Sequence, residues 1–149
     1  MKAVDLFCGC GGMSLGFINA GFEIEWAFDS WEPAIRTYRK NFSHPVYKAD
    51  LSDRQIVPVI AGLKPDIIIG GPPCQDFSSA GRRDETMGRA ALSKTYADIV
   101  TAARPEYFVM ENVSQIHSSR AYIYVRDALK KESLTQVAAK SRRQGSGCS

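Results

Sequence analysis

The chain has 149 residues, 44% of them hydrophobic and 23% charged, with a formal net charge of +3. That is ordinary globular usage for one domain and excludes wholesale disorder; no run nears the roughly 20 apolar residues of a membrane span. No basic-then-apolar signal peptide opens the chain, so a cytoplasmic protein with no membrane partner is expected. Residues 1–75 carry 7 Lys/Arg against 8 Asp/Glu, whereas residues 76–149 carry 12 against 8. A basic second half suits a polyanionic partner, but a solvated basic surface explains it equally well. Cys8, Cys10, Cys74 and Cys148 lack Cys-x-x-Cys spacing and the two histidines stand apart, so neither a metal site nor a disulfide framework is expected.

In chain order, Ala3 to Phe7 reads as a short buried strand that runs straight into Cys8-Gly9-Cys10-Gly11-Gly12. Met13 to Ala20 has helical apolar spacing, with Gly21 as its C-terminal cap. Phe22 to Asp29 predicts a second strand, and Glu32 to Phe42 a helix with Pro33 in its first turn, where the missing N–H is harmless. Residues 53–63 predict a helix, and Pro65 to Ile69 a strand entering Gly70-Gly71-Pro72-Pro73. A polar loop is expected over 76–92, then a helix from Lys94 to Ala103, a buried strand from Tyr107 to Met110 and a helix from Ala121 to Lys131. Strands alternating with helices of this length imply right-handed βαβ units and a parallel sheet, an α/β fold. Residues 1–139 form the expected domain; 140–149, polar and rich in glycine and serine, the expected disordered tail.

Ligands of open parallel sheets bind beyond the carboxyl ends of the strands, and three such ends carry unusual residues. Gly9, Gly11 and Gly12 allow close backbone approach to a ligand, and the following helix points its N-terminus there. Asp29 ends the second strand 20 residues after Gly9, where an acid can hydrogen-bond ribose hydroxyls; the pair suggests an adenosine-containing cofactor. Ser14 stands where a dinucleotide fingerprint has its third glycine. Asp50, near a third strand end, either meets an adenine amino group or begins a helix. Cys74 follows two stiffening prolines as the chain leaves an apolar strand, which favours a fixed nucleophile over a small buried residue. Glu111 follows the strand ending at Met110, and parallel-sheet geometry can bring it beside Cys74. A thiol and a carboxyl together suit covalent addition to an electron-poor ring.

Taken together, these segments resemble the cytosine-5 DNA methyltransferase family. Asp5-Leu6-Phe7-Cys8-Gly9-Cys10-Gly11-Gly12 resembles its cofactor loop, Asp29 to Ala34 its ribose-binding segment, Gly71 to Ser78 its nucleophile loop, and Met110-Glu111-Asn112-Val113 its base-holding glutamate. The resemblance implies a doubly wound, mostly parallel, Rossmann-like methyltransferase fold, incomplete at the C-terminus, with S-adenosylmethionine as donor. It implies that Phe7, Gly9, Cys10, Gly11 and Gly12 surround the methionine and ribose, and that Asp29 takes the ribose hydroxyls. Asp50 and Leu51 would border the adenine, Ser30 would stand where the family often has a larger side chain, and Gly71 and Pro73 would close the pocket. By the same resemblance, Cys74 adds to carbon 6 of a cytosine flipped from double-stranded DNA while Glu111 holds the ring. Arg82, Arg83 and Arg89 either hold phosphates or lie on a solvated loop.

The family's later Gln-x-Arg-x-Arg segment, its target-recognition domain and its C-terminal helix have no counterpart here. A truncated or frameshifted chain is expected, or one piece of a split enzyme whose second polypeptide carries target recognition. A silent remnant and a tRNA-methylating branch are the competing readings. An amino-methyltransferase needs no such thiol, and a nicotinamide dehydrogenase leaves Cys74 and Glu111 unexplained.

Overall fold

The structure, a computed structural model, describes residues 1–73, 83–112 and 120–131. Strands and helices alternate through the chain. They are β1 (Lys2–Leu6), α1 (Gly12–Asn19), β2 (Glu23–Asp29), α2 (Glu32–Asn41), β3 (Val46–Lys48), α3 (Ile56–Gly62), β4 (Ile67–Gly70), α4 (Arg83–Ala103), β5 (Tyr107–Met110) and α5 (Arg120–Lys131). Among the described residues, five strands form one sheet in the order β3-β2-β1-β4-β5, each pairing parallel. Leu6 stands opposite both Phe28 and Gly70, and Gly70 opposite Met110, so the carboxyl ends of four strands line up at one edge. The chain order reverses at β1, whose neighbours are β2 and β4, and that switch point is where such sheets bind ligands.

Alternation along the strands builds a three-layer molecule. Val4, Leu6, Phe28, Ile68 and Phe108 face one way and pack with Ile60 of α3, Tyr96, Ile99 and Val100 of α4 and Leu129 of α5. Ala3, Ile67 and Ile69 face the other way, against Met13 and Phe17 of α1, while Ala27 meets Ile35 and Tyr38 of α2. Each large side chain fully buried in this way stabilises the fold by roughly 1.5–3 kcal/mol. Gly70 is required where β4 meets β1: a Cβ there would lie 2.5 Å from the Leu6 carbonyl oxygen.

Gly21 caps α1 with φ +88°; its N–H reaches the Ile18 carbonyl at 2.9 Å and the Phe22 N–H reaches that of Phe17 at 3.0 Å. This is a Schellman closure, completed by edge-on contact of the Phe17 and Phe22 rings at 5.1 Å. In α2, Pro33 occupies the first turn as expected, with Glu32 at the positive end of the helix dipole and Arg39 and Lys40 at the negative end.

One expectation is corrected. Residues 83–92, assigned to the polar loop 76–92, are helical and extend α4 to Arg83–Ala103. The helix formers Glu85, Met87, Arg89, Ala90, Ala91 and Leu92 outweigh the roughly 1 kcal/mol penalty of Gly88. The tail expected at 140–149 lies outside the described residues, as do Cys74 and Arg82.

Candidate active site

The glycine loop leaves β1 through Phe7 at φ +60°, then turns through Gly9 at +54° and Gly11 at +96°. A bulky residue at positive φ stores strain of order 1–3 kcal/mol, which the surroundings of the turn must offset. Gly11 is fixed twice over, because a Cβ there would lie 2.2 Å from Phe42 Cε2. It also begins α1, to whose first N–H groups a glycine N-cap offers no side chain, while the Asp5 carboxylate takes the Ser14 N–H. Asp29, at the end of β2, braces this loop. Its Oδ2 accepts the Gly9 N–H at 2.8 Å and its Oδ1 accepts the Trp31 N–H at 2.8 Å. The Asp29 carboxylate thus contacts the glycine turn directly. Cys10 is exposed, whereas Cys8 is buried, and burial pushes its thiol well above the ordinary range.

Beyond β2 and β3 lies an open cavity of about 490 Å³ lined by Ser30, Lys48, Ala49 and Asp50. Asp50 is not a helix cap: its Oδ1 accepts the Ser52 N–H at 2.9 Å and the Ser52 hydroxyl at 2.6 Å, which holds the carboxyl in a tight turn and pulls its pKa down. Leu51 is 2% exposed and packs into the main core, so its side chain anchors the cavity's edge instead of lining it. Lys48 and Ala49 were not among the residues expected here. Their signal is the strand pairing itself, since Asp29 stands opposite Lys48 and the Ala49 N–H reaches the Asp29 carbonyl at 2.8 Å.

The third edge joins β4 to β5. The Glu111 N–H donates to the Gly70 carbonyl at 2.9 Å, and the Gly71 Cα faces Glu111 closely enough that a Cβ would sit 3.3 Å from Oε2. Asn112 Nδ2 donates to the Pro72 carbonyl at 2.7 Å and ties the two loops together. Glu111 is exposed at this edge. Gly71, Pro72 and Pro73 thus lie beside Glu111 and Asn112; Cys74 itself is outside the described residues, and Arg83 and Arg89 belong to the first half of α4.

Under the glycine loop runs a buried polar chain that sequence reasoning missed. Ser14 Oγ donates to Asp5 Oδ2 at 2.6 Å and lies 2.6 Å from Tyr38 OH, which lies 2.6 Å from His44 Nε2. The residue read as a missing glycine, Ser14, is a fully buried link between β1 and α2. Asp5 is 1% exposed, and burial raises its pKa to about 7 against the opposing hydrogen bond from Ser14. An acid inside the otherwise apolar strand Ala3 to Phe7 was the available signal.

The arrangement combines an open cavity, a glycine turn and two loops tied at the ends of β4 and β5. The profile of the C-5 cytosine-specific DNA methylases matches residues 1–135. The chain belongs to that family. It is 59% identical over 120 residues to the type II methyltransferase M.HindV of Haemophilus influenzae, covering 80% of this chain and 40% of that protein. It is 53% identical over 123 residues to the type II methyltransferase M.HgiGI of Herpetosiphon aurantiacus, covering 82% of this chain and 98% of that one. A DNMT2 structure from Spodoptera frugiperda superposes with a TM-score of 0.71 at 28% identity, covering 87% of this chain and 40% of the other. The family draws its methyl group from S-adenosylmethionine and acts on DNA, and the parallel sheet with its switch point at β1 is the fold expected of it. No helix among the described residues is long and apolar enough to cross a membrane.

Proposed function

We propose that this chain carries the cofactor-binding and catalytic face of a DNA (cytosine-5-)-methyltransferase of restriction–modification type, acting in the cytoplasm. The observation that carries the reading is the tie between the two catalytic loops, Asn112 Nδ2 on the Pro72 carbonyl, which holds the segment leading to Cys74 against Glu111. The residues present suit S-adenosylmethionine. Gly9 and Gly11 turn at positive φ, where a side chain would be strained, and bring backbone close to a ligand, and the N-terminus of α1 faces the methionine carboxylate. Asp29 and Ser30 face the ribose, Asp50 and the Leu51 backbone border the adenine, and Phe7, Cys10, Gly12, Gly71 and Pro73 close the pocket. When bound, the cofactor supplies an electrophilic methyl group on a sulfonium sulfur.

The chain's own groups activate the base. The target cytosine leaves the stack at a cost of a few kcal/mol. The Cys74 thiolate adds to ring carbon 6, and Glu111 hydrogen-bonds the ring nitrogen and the exocyclic amine, so the electron pair gathers at carbon 5. Once carbon 5 has taken the methyl group, its proton leaves to solvent with elimination of the Cys74 thiolate, and the aromatic ring is restored. Thiolate formation calls for a positive or hydrogen-bonding neighbourhood, since a free thiol has a pKa near 8.5.

The test is transfer of labelled methyl from S-adenosylmethionine to unmethylated double-stranded DNA and to tRNA, with Cys74→Ser as control. Label in DNA that disappears in the variant supports the proposal; label confined to tRNA reassigns the substrate. This chain spans 40% of M.HindV, which favours a second reading: target recognition is supplied by polypeptide outside this sequence, in the same or a separate chain. Cofactor binding without transfer, restored by adding that polypeptide, supports it.

A further inference from the structure

The polar chain from Asp5 to His44 joins the floor of the glycine loop to the surface through three elements and a connecting loop. Asp5 lies on β1 and Ser14 on α1, Tyr38 lies on α2, and His44 lies between α2 and β3. Each hydroxyl carries one proton, so Ser14 and Tyr38 donate in the same direction and the chain has two polarities. With Asp5 ionised, His44 Nε2–H donates to Tyr38, Tyr38 to Ser14, and Ser14 to Asp5 Oδ2. With the proton on Asp5 Oδ2, every bond reverses, and His44 accepts at Nε2 while keeping its proton on Nδ1. Asp5 Oδ1 is buried and has no hydrogen-bond partner among the described residues, a costly arrangement for a charge.

We infer that this chain couples binding of the methyl donor to release of one proton. A cationic ligand seated over the glycine loop turns Asp5 from acid to carboxylate, and the reversed chain delivers the proton to His44 and water. The inference rests on the cofactor reading above and adds to it a proton count and a path. The balance is complete. As Asp5 Oδ2–H breaks, Ser14 Oγ takes its proton, Tyr38 takes that of Ser14, and His44 Nε2 takes that of Tyr38. The doubly protonated ring then loses Nδ1–H to solvent, so one proton leaves as one positive ligand charge arrives.

The surroundings support this. The titratable groups coupled to Asp5 are Asp29 from β2, Cys8 from the loop, Tyr38 from α2 and Tyr96 from α4. Cys8 and both tyrosines are pushed further up by burial and stay neutral, while the Asp29 charge works against ionising Asp5. Burial lowers the pKa of His44, which favours a neutral ring at either end of the transfer, suited to pass a proton on. Burial and the Asp29 charge favour the protonated form of Asp5, against the Ser14 hydroxyl and N–H, which favour the carboxylate.

Calorimetric titration of the purified chain with S-adenosylmethionine, in buffers of different ionisation enthalpy, counts the protons. The titration is run at about pH 6.5, below the ordinary α-amino pKa of about 7.7–8.0, so that the ligand's own amine stays charged. The expected result is release of most of one proton, abolished in Asp5→Asn. A second readout needs no variant to fold: the ¹⁵N spectrum of the His44 ring should show the Nδ1–H tautomer in the free protein and the Nε2–H tautomer in the complex. Binding with no proton released, or a His44 tautomer unchanged by ligand, overturns the inference alone. No binding at any pH overturns the cofactor reading as well.

Discussion

The Asp29 carboxylate accepts the Gly9 N–H at 2.8 Å, so the end of β2 sets the shape of the loop that leaves β1. The same carboxylate takes the Trp31 N–H and orients the start of α2. One side chain therefore fixes the glycine cradle and the entrance to the adjoining cavity before any ligand arrives.

Asp29→Asn should weaken both bonds, because the amide keeps one acceptor oxygen and turns an NH₂ toward a backbone donor. A hydrogen bond to a charged group contributes roughly 1.5–3 kcal/mol, so donor affinity should fall on the order of 10- to 100-fold. Calorimetry with S-adenosylmethionine checks this, and affinity unchanged within a factor of two would contradict it.

Gly11→Ala should destabilise the chain by roughly 1–3 kcal/mol from backbone strain alone, with a further penalty from Phe42. The steric part should be relieved in Gly11→Ala/Phe42→Ala and the strain should remain. The two contributions therefore separate in a double-mutant cycle followed by urea denaturation.

Asn112→Ala should free the Pro72 carbonyl and loosen the segment before Cys74. Misplacing a reacting group by about 1 Å can lower turnover on the order of 100-fold, so kcat should fall while donor affinity stays level. Equal losses in both would show that Asn112 serves the fold as a whole.

Stability should depend on pH through Asp5. Its folded pKa, about 7, lies above the ordinary 3.8, so the folded state binds more protons between those values. The resulting stabilisation is present below about pH 4 and is lost as pH rises through 7, with a slope of at most about 1.4 kcal/mol per unit. Asp5→Asn should flatten that decline. Parallel urea melts of the two proteins from pH 5 to 8 would reveal it, and identical slopes would exclude Asp5 as the source.

Much of this was legible in the residues because it is local. Alternating strands and helices, Pro33 in a first turn and Gly21 as a cap each follow from a few neighbouring side chains. The Gly9–Asp29 pairing was readable too, since a βαβ unit fixes the separation of successive strand ends. The Ser14–Tyr38–His44 links were not: they join residues brought together only by packing of α1 and α2 on the sheet. The burial of the Leu51 side chain was hidden for the same reason, as its position in sequence marks the cavity while its side chain belongs to the core. The start of α4 was hidden by Gly88, whose local signal the surrounding helix formers overrode.

The place of β1 also has a consequence for synthesis. Of the five strands described, the central one is synthesised first. Its partner β2 follows within about 20 residues, but Ala3 pairs with Ile67. Until more than 60 further residues have emerged, the nascent chain presents a hydrophobic strand with one edge unpaired, the form most open to chaperones and to aggregation. Slow translation between β2 and β4 should therefore lower the soluble yield of this chain more than an equal delay after β5.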